Sequence, residues 1–359
     1  MKRFLPGLLA VVMLLTCAGC KKTPDQTIDP KAPDVNMNAP ENLATPTPEV
    51  PDYTNPLTGE PMHEDISMNR PVAVMVNNII KAQPQRGVSN ADMIFEIPAE
   101  GGVTRMLAIF QDVSGIASIG SIRSLRSYYL QVTQGFDAIL VHAGGSEEAY
   151  TDLKTTGWDH IDGVMGNYHV DPFYRDKDRM ANGTEHSLFA VGDKIIESIE
   201  DSGYETTHKA GFDYGYSFSE DAGTQCKTKA DYAKIIFNSG KNTSFVYDSK
   251  TGLYTGYQFG ERYKDDGKTD MTFKNLLLLS AGMNVYDGVG RLSVDFDKGG
   301  TGYFICEGKS VEINWVKTDD DTGFEFTLKN GMPLDLGIGK TYIGIHDKTA
   351  GSVTFEKSK

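Results

Sequence analysis

The alternation of apolar and polar residues along this chain changes its rhythm twice. Residues 71–79, PVAVMVNNI, and 91–97, ADMIFEI, are apolar bursts of strand length, the second alternating as a half-buried strand does. VTRMLAIFQD supplies a third strand over 103–112. From Ser124 to Gly135 the spacing shifts, with Leu125, Tyr128, Tyr129 and Val132 recurring as on one side of a helix. DAILVHAGGS then predicts a buried strand over 137–142, stopped by a glycine pair. Ser146 is a good N-cap, Glu147 and Glu148 suit the positive end of a helix, and Gly157 is a stop. A further helix is expected over His186–Ser202.

From residue 216 onward the runs shorten. TSFVYD, GLYTGYQF, RLSVDFD, GTGYFICEG, SVEINWVK and KTYIGIHD alternate and are separated by Gly, Asp, Asn and Lys, which is the grammar of hairpins. The expectation is therefore an α+β protein. A layered α/β N-terminal domain over 56–215 is followed by a mostly antiparallel β-rich C-terminal domain over 216–359. Trp315, Tyr342 and Tyr254 in the second half fit a packed core better than a sugar platform.

Neither rhythm reaches residues 1–55. Lys2 and Arg3 precede an apolar stretch, Phe4 to Leu15, that is too short to span a bilayer, and small residues then lead to Cys20. This is the pattern of a secretory signal over 1–19. Cys20 directly after Ala18-Gly19 resembles a bacterial lipobox, which implies cleavage before Cys20 and a diacylglycerol anchor, palmitate included, on that residue. A frame ending at Thr16 and cutting before Cys17 fits less well. Residues 20–55 carry Pro24, Pro30, Pro33, Pro40, Pro46, Pro48 and Pro51 and few large apolar groups, so a disordered tether is expected.

Charge narrows the partners. The formal net charge is −14, and a leader ending at Gly19 would remove Lys2 and Arg3 but no acid, leaving the mature chain more negative. Bulk attraction to nucleic acid is excluded on that balance, so an anion site has to be a local exception. IGSIRSLRSYY over 119–129 is the candidate. Arg123 and Arg126 would share a helix face near free backbone N–H groups, with Arg105 on the preceding strand as a third arm. The competing reading pairs these arginines with Glu96, Glu100 or Asp112 as structural ion pairs.

Four further residues are candidates for chemistry. His142 stands at the C-terminal edge of a strand, where open α/β sheets place ligands. Ser146 could be a nucleophile, although two glutamates follow it and a helix cap is the simpler role. His186 and Arg175 lie in a long irregular segment of the kind that often carries function. His160, Asp162, His169 and Asp171 do not form a dense ligand motif, so neither a metal nor another cofactor is expected. Cys226 and Cys306 lie far apart, and either a bridge or two buried thiols is compatible with the sequence.

GVTRMLAIFQ, IGSIRSLRSYY, FDAILVHAGGSEEA and the later YDSKTGLY, NWVK and GKTYIGI resemble the YerB-type lipoproteins of Gram-positive bacteria, whose paired N- and C-terminal domains are of unknown function. The resemblance covers nearly all of the chain beyond the tether. It departs from the family pattern at Glu185-His186-Ser187, where that pattern has Pro-His-Asn. It departs again at Gly256 and Tyr263, which stand where the family has an arginine and a histidine, with Arg262 close by. Those departures count against a catalytic second domain. The combined expectation is a lipid-anchored protein on the outer face of the cell membrane that binds an anionic envelope component or a wall-synthesis protein. The alternative is an envelope hydrolase or phosphotransferase with a histidine general acid/base and arginines stabilising the developing anion.

Overall fold

A computed structural model describes residues 53–356; the expected signal, Cys20 and nearly all of the expected tether lie outside the described residues. Strands dominate. The N-terminal part contributes β1 (Val72–Asn78), β2 (Met93–Pro98), β3 (Thr104–Phe110), α1 (Ser127–Gly135), β4 (Ile139–His142), α2 (Glu147–Thr156), β5 (His160–Asp162) and α3 (Gly192–Asp201). The C-terminal part contributes β6 (Tyr232–Asn238), β7 (Lys241–Asp248), β8 (Leu253–Gln258), β9 (Asn275–Val285), β10 (Gly300–Cys306), β11 (Lys309–Val316), β12 (Thr341–Asp347) and β13 (Ser352–Thr354).

One sheet runs through both parts, in the order β11, β10, β9, β12, β2, β3, β1, β4, β5. β12, near the C-terminus, lies between β9 and β2 and is parallel to both, with Ile343 opposite Leu277 on one side and Phe95 on the other. Residues on both sides of the expected boundary near 215 thus share a single hydrogen-bonded ladder. A smaller antiparallel sheet is built from β13, β6, β7 and β8.

Burial patterns follow from these positions. β1, β2 and β3 are buried at every position because both faces of the central sheet are covered, whereas β6 alternates because only one of its faces is. On one face Met75, Phe95, Leu107 and Ile343 pack with Tyr129, Leu130 and Leu153 of α1 and α2 and with Trp315. On the other, Val74, Val76, Ile94 and Tyr342 pack with Ile235 and Phe245 of the smaller sheet and with Ile195 and Ile199 of α3. Cys226 and Cys306 are separate buried thiols, and burial pushes each up to about 12.

Two helix boundaries differ from the sequence reading. α1 begins at Ser127 because the residues before it pair as extended backbone: Arg123 N–H donates to Met75 (2.9 Å) and Leu125 N–H to Gly144 (2.9 Å). α3 begins at Gly192 because Leu188–Ala190 is a short strand paired with Phe173–Arg175.

The polar residue of β2 holds the layers together. Glu96 is fully buried, not turned to water as simple alternation implies. Its Oε1 accepts from Asn78 Nδ2 (2.9 Å) and Thr104 Oγ1 (2.6 Å) and lies 3.1 Å from Lys241 Nζ; its Oε2 accepts from Thr243 Oγ1 (2.8 Å) and Tyr342 OH (2.6 Å). These donors come from β1, β3, β7 and β12, so one carboxylate joins four strands of two sheets. A buried charge stripped of its counter-ion is strongly destabilising. Lys241→Met is therefore expected to cost about 3–5 kcal/mol in urea unfolding, against about 1.5–3 kcal/mol for Thr243→Val. Equal losses in the two variants would show that the ion pair is not what stabilises this junction.

Candidate functional site

The arginine segment lies across the end of the central sheet, clamped between β1 and the loop after β4. Arg105 projects from β3 on the α1 side, opposite Asn77 of β1. Its Nη2 donates to Glu100 Oε1 (2.7 Å) and its Nη1 to the Ser124 carbonyl. Arg126 donates through Nε to Glu100 Oε2 (3.0 Å), through Nη2 to Oε1, and through Nη1 to the Leu125 carbonyl (2.6 Å). Glu100 thus takes two guanidinium groups. Partial burial opposes its ionised form, yet the Arg126 hydrogen bonds and the Arg105 charge prevail and draw it down to about 2. Burial and the Arg126 charge bring Arg105 down to about 10, still protonated at neutral pH.

Arg123 differs from both. It is half-buried, and among the described residues its guanidinium has neither a hydrogen bond nor an ion pair. Burial lowers its pKa against the Glu185 carboxylate, which raises it; the Arg126 charge lowers it further and Glu100 opposes that. Ser121 and Ser127 in the same segment have buried hydroxyls without a partner, and α1 opens with no acid in its first turn and no side-chain cap.

His186 belongs to this cluster. Asn77 Nδ2 donates to the Glu185 carbonyl (3.4 Å) and to His186 Nδ1 (2.9 Å), which places the imidazole proton on Nε2, 3.6 Å from Glu185 Oε1. Burial lowers the His186 pKa against the neighbouring Glu185 carboxylate, which raises it, and the Arg123 and Lys81 charges lower it further. Arg175 stands outside the cluster. Its Nη1 donates to the Thr184 carbonyl (2.8 Å) and Ser187 Oγ (3.3 Å), bracing the turn that carries His186.

His142 and Ser146 sit in a separate hydrogen-bond system. His142 is fully buried; Nδ1–H donates to the Gly144 carbonyl (2.9 Å), so Nε2 accepts from His160 Nδ1 (2.9 Å). Both nitrogens are occupied. Burial outweighs the nearby Asp162 carboxylate and pushes its pKa down to about 4. Ser146 Oγ accepts from Ala149 N–H (3.1 Å) as the cap of α2. Asp162 accepts from Tyr150 OH (2.6 Å) and from the Gly144 and Val164 N–H groups, which closes this corner as a self-satisfied network. Among the described residues, no group of three or more His, Cys, Asp or Glu is placed to hold a metal ion.

The two departures in the C-terminal part have structural roles. Tyr263 is buried, and its OH donates to Gln85 Oε1. Gly256 exchanges backbone hydrogen bonds with Met271 and Tyr263. Arg262 pairs with Asp270. Sequence reasoning named Glu100 among three possible partners of the arginines without singling it out, and missed Asn77 as the residue orienting His186. The only signal for Glu100 was that it is an acid close to Arg105 along the chain.

Comparison with known proteins places this geometry in a family. Residues 57–205 match the N-terminal domain, and residues 233–343 the C-terminal domain, of a protein family of unknown function, DUF3048. The chain belongs to that family. It is 31% identical over 303 residues to YerB of Bacillus subtilis (strain 168), whose name classes it as a lipoprotein; the match covers 83% of this chain and 88% of YerB. It is also similar to the crystal structure of the YerB protein from Bacillus subtilis, with a TM-score of 0.72 and 29% identity over 84% of this chain and 99% of that one. The relative's name supports a membrane-associated protein. Among the described residues no helix is long and apolar enough to cross a membrane.

The Glu100 clamp predicts a pH signature. The folded pKa lies below the ordinary 4.5, so the stabilisation is fully present above about 4.5 and is lost as pH falls towards about 2. The stability difference between the wild-type chain and Glu100→Gln, followed by denaturant midpoints across a pH series, should shrink over that window. A difference independent of pH there would contradict the clamp.

Proposed function

We propose that this protein is an exported lipoprotein, held at the outer face of the cell membrane through Cys20, which binds an anionic envelope component, or an acidic surface of a wall-synthesis protein, at the Arg123 segment. The observation that carries this reading is the unpaired, half-buried Arg123 guanidinium. Arg105, Arg123, Arg126 and Lys81 gather around two carboxylates, Glu100 and Glu185, a local excess of positive charge in a chain of net charge −14. Arg105 and Arg126, neutralised in part by Glu100, act as scaffold. Arg123, the partnerless Ser127 hydroxyl and the open start of α1 supply donors for phosphate or carboxylate oxygens.

Binding accounts for this arrangement better than catalysis. Ser146 is engaged as a cap, His142 has no free nitrogen, and His186 is only 3% exposed. Were an activity present, His186 would be its acid/base group, because it is the histidine that shares the cluster with Arg123.

Thermal-shift screening against pyrophosphate, undecaprenyl phosphate analogues and muropeptides tests the site. Arg123→Ala should change stability by no more than about 0.5 kcal/mol, as expected for a side chain without structural partners. It should weaken ligand stabilisation at least about tenfold in apparent affinity. Stabilisation that survives the substitution would remove Arg123 from the site. For the anchor, Cys20→Ala should release the protein from the membrane fraction, and retention of that variant would overturn the lipid attachment.

A further inference from the structure

A second opening lies on the other side of the central sheet. Where the turn after β1 meets the hairpin that follows β8, a cleft of about 310 Å³ is walled by Ile80, Pro84, Phe259 and Tyr263. Ile80 is 65% and Phe259 37% exposed, so apolar groups stand at its mouth beside the exposed Glu261 and Arg262. Phe259 adopts φ 54, a left-handed conformation that a bulky residue rarely takes, and its ring centroid lies 4.3 Å from Lys241 Nζ.

Two glutamines that line this cleft, Gln83 and Gln258, carry buried amide donors without a partner. Gln258 is 4% exposed, and its Oε1 accepts from Lys241 Nζ (2.7 Å). An ammonium only donates, so the orientation of the Gln258 amide is fixed and its oxygen is engaged. Nε2 is left buried without a partner, and Gln83 Nε2 on the facing turn is in the same condition. Buried donors are nearly always satisfied, so two unmet ones bordering a single small apolar cleft mark a place where acceptors belong. The Lys241 ammonium that fixes Gln258 is itself held against Glu96, so the donor is set by the core.

We infer that this cleft binds a short peptide, seating one apolar side chain among Ile80, Pro84, Phe259 and Tyr263 while peptide carbonyl oxygens accept from Gln83 and Gln258. Arg262 and Lys264, which also line the cleft, are paired with Asp270, so an uncharged peptide segment can meet the apolar walls and the amide donors without displacing an ion pair. The volume suits one side chain and its flanking peptide groups, and is too small for a lipid chain.

Ligand-observed NMR titration of the full chain with N-acetyl-leucine amide and N-acetyl-phenylalanine amide tests the inference, with N-acetylglycine amide as the control. Both apolar probes should give saturable binding in the millimolar range, at least about tenfold tighter than the glycine probe. Gln83→Ala and Gln258→Glu should each weaken them at least about tenfold. Gln83→Ala alters a turn side chain outside the core, so it decides the question even if Gln258→Glu fails to fold. Absence of saturable binding, equal affinity for all three probes, or undiminished binding to Gln83→Ala would overturn the proposal.

Discussion

The fold turns on one negative charge that water cannot reach. Glu96 stands in the middle of a strand buried on both faces, and such a carboxylate persists only if its lone pairs are filled and its charge is met. Asn78 and Thr104 supply donors from neighbouring N-terminal strands, while Lys241, Thr243 and Tyr342 reach it from the C-terminal part. The two halves recognised as separate family domains are therefore mutually dependent at this point. Neither half alone provides the full set of partners. The same requirement places Lys241, and through it the Gln258 amide, so a demand set in the core determines what a cleft at the surface presents.

A parallel economy governs the arginines. Two of the three are committed to Glu100, and through the Ser124 and Leu125 carbonyls they also fix the extended backbone that delivers the third. A paired arginine stiffens its surroundings, whereas an unpaired one attracts a guest. The segment does the first with Arg105 and Arg126 and leaves the second to Arg123. Its register against Met75 and Gly144 positions that side chain without requiring any helix.

Much of this was visible in the sequence, and what was hidden was hidden for physical reasons. Strands such as PVAVMVNNI declare themselves because burial on both faces demands continuous apolar runs, and the Ser146 cap with its Gly157 stop is local chemistry. The joining of the halves is not local. β12 meets β2 across some 250 positions of chain, and no periodicity encodes that pairing. Glu96 reads as the polar side of a half-buried strand until the second layer is known. Arg123 and Arg126 have the spacing of a helix but lie in extended backbone, because ladder hydrogen bonds to the loop after β4 override a three-residue interval. The ion-pair alternative for the arginines held for Arg105 and Arg126 through Glu100, and did not extend to Arg123.

The place of β12 also bears on how such a chain is made. The strand between β2 and β9 is drawn from the last stretch of sequence, so until it arrives both neighbours carry a bare row of backbone donors and acceptors. A chain made from its N-terminus holds that gap open until residues 341–347 are out, and during that interval β2 and β9 are edges onto which a foreign strand could add.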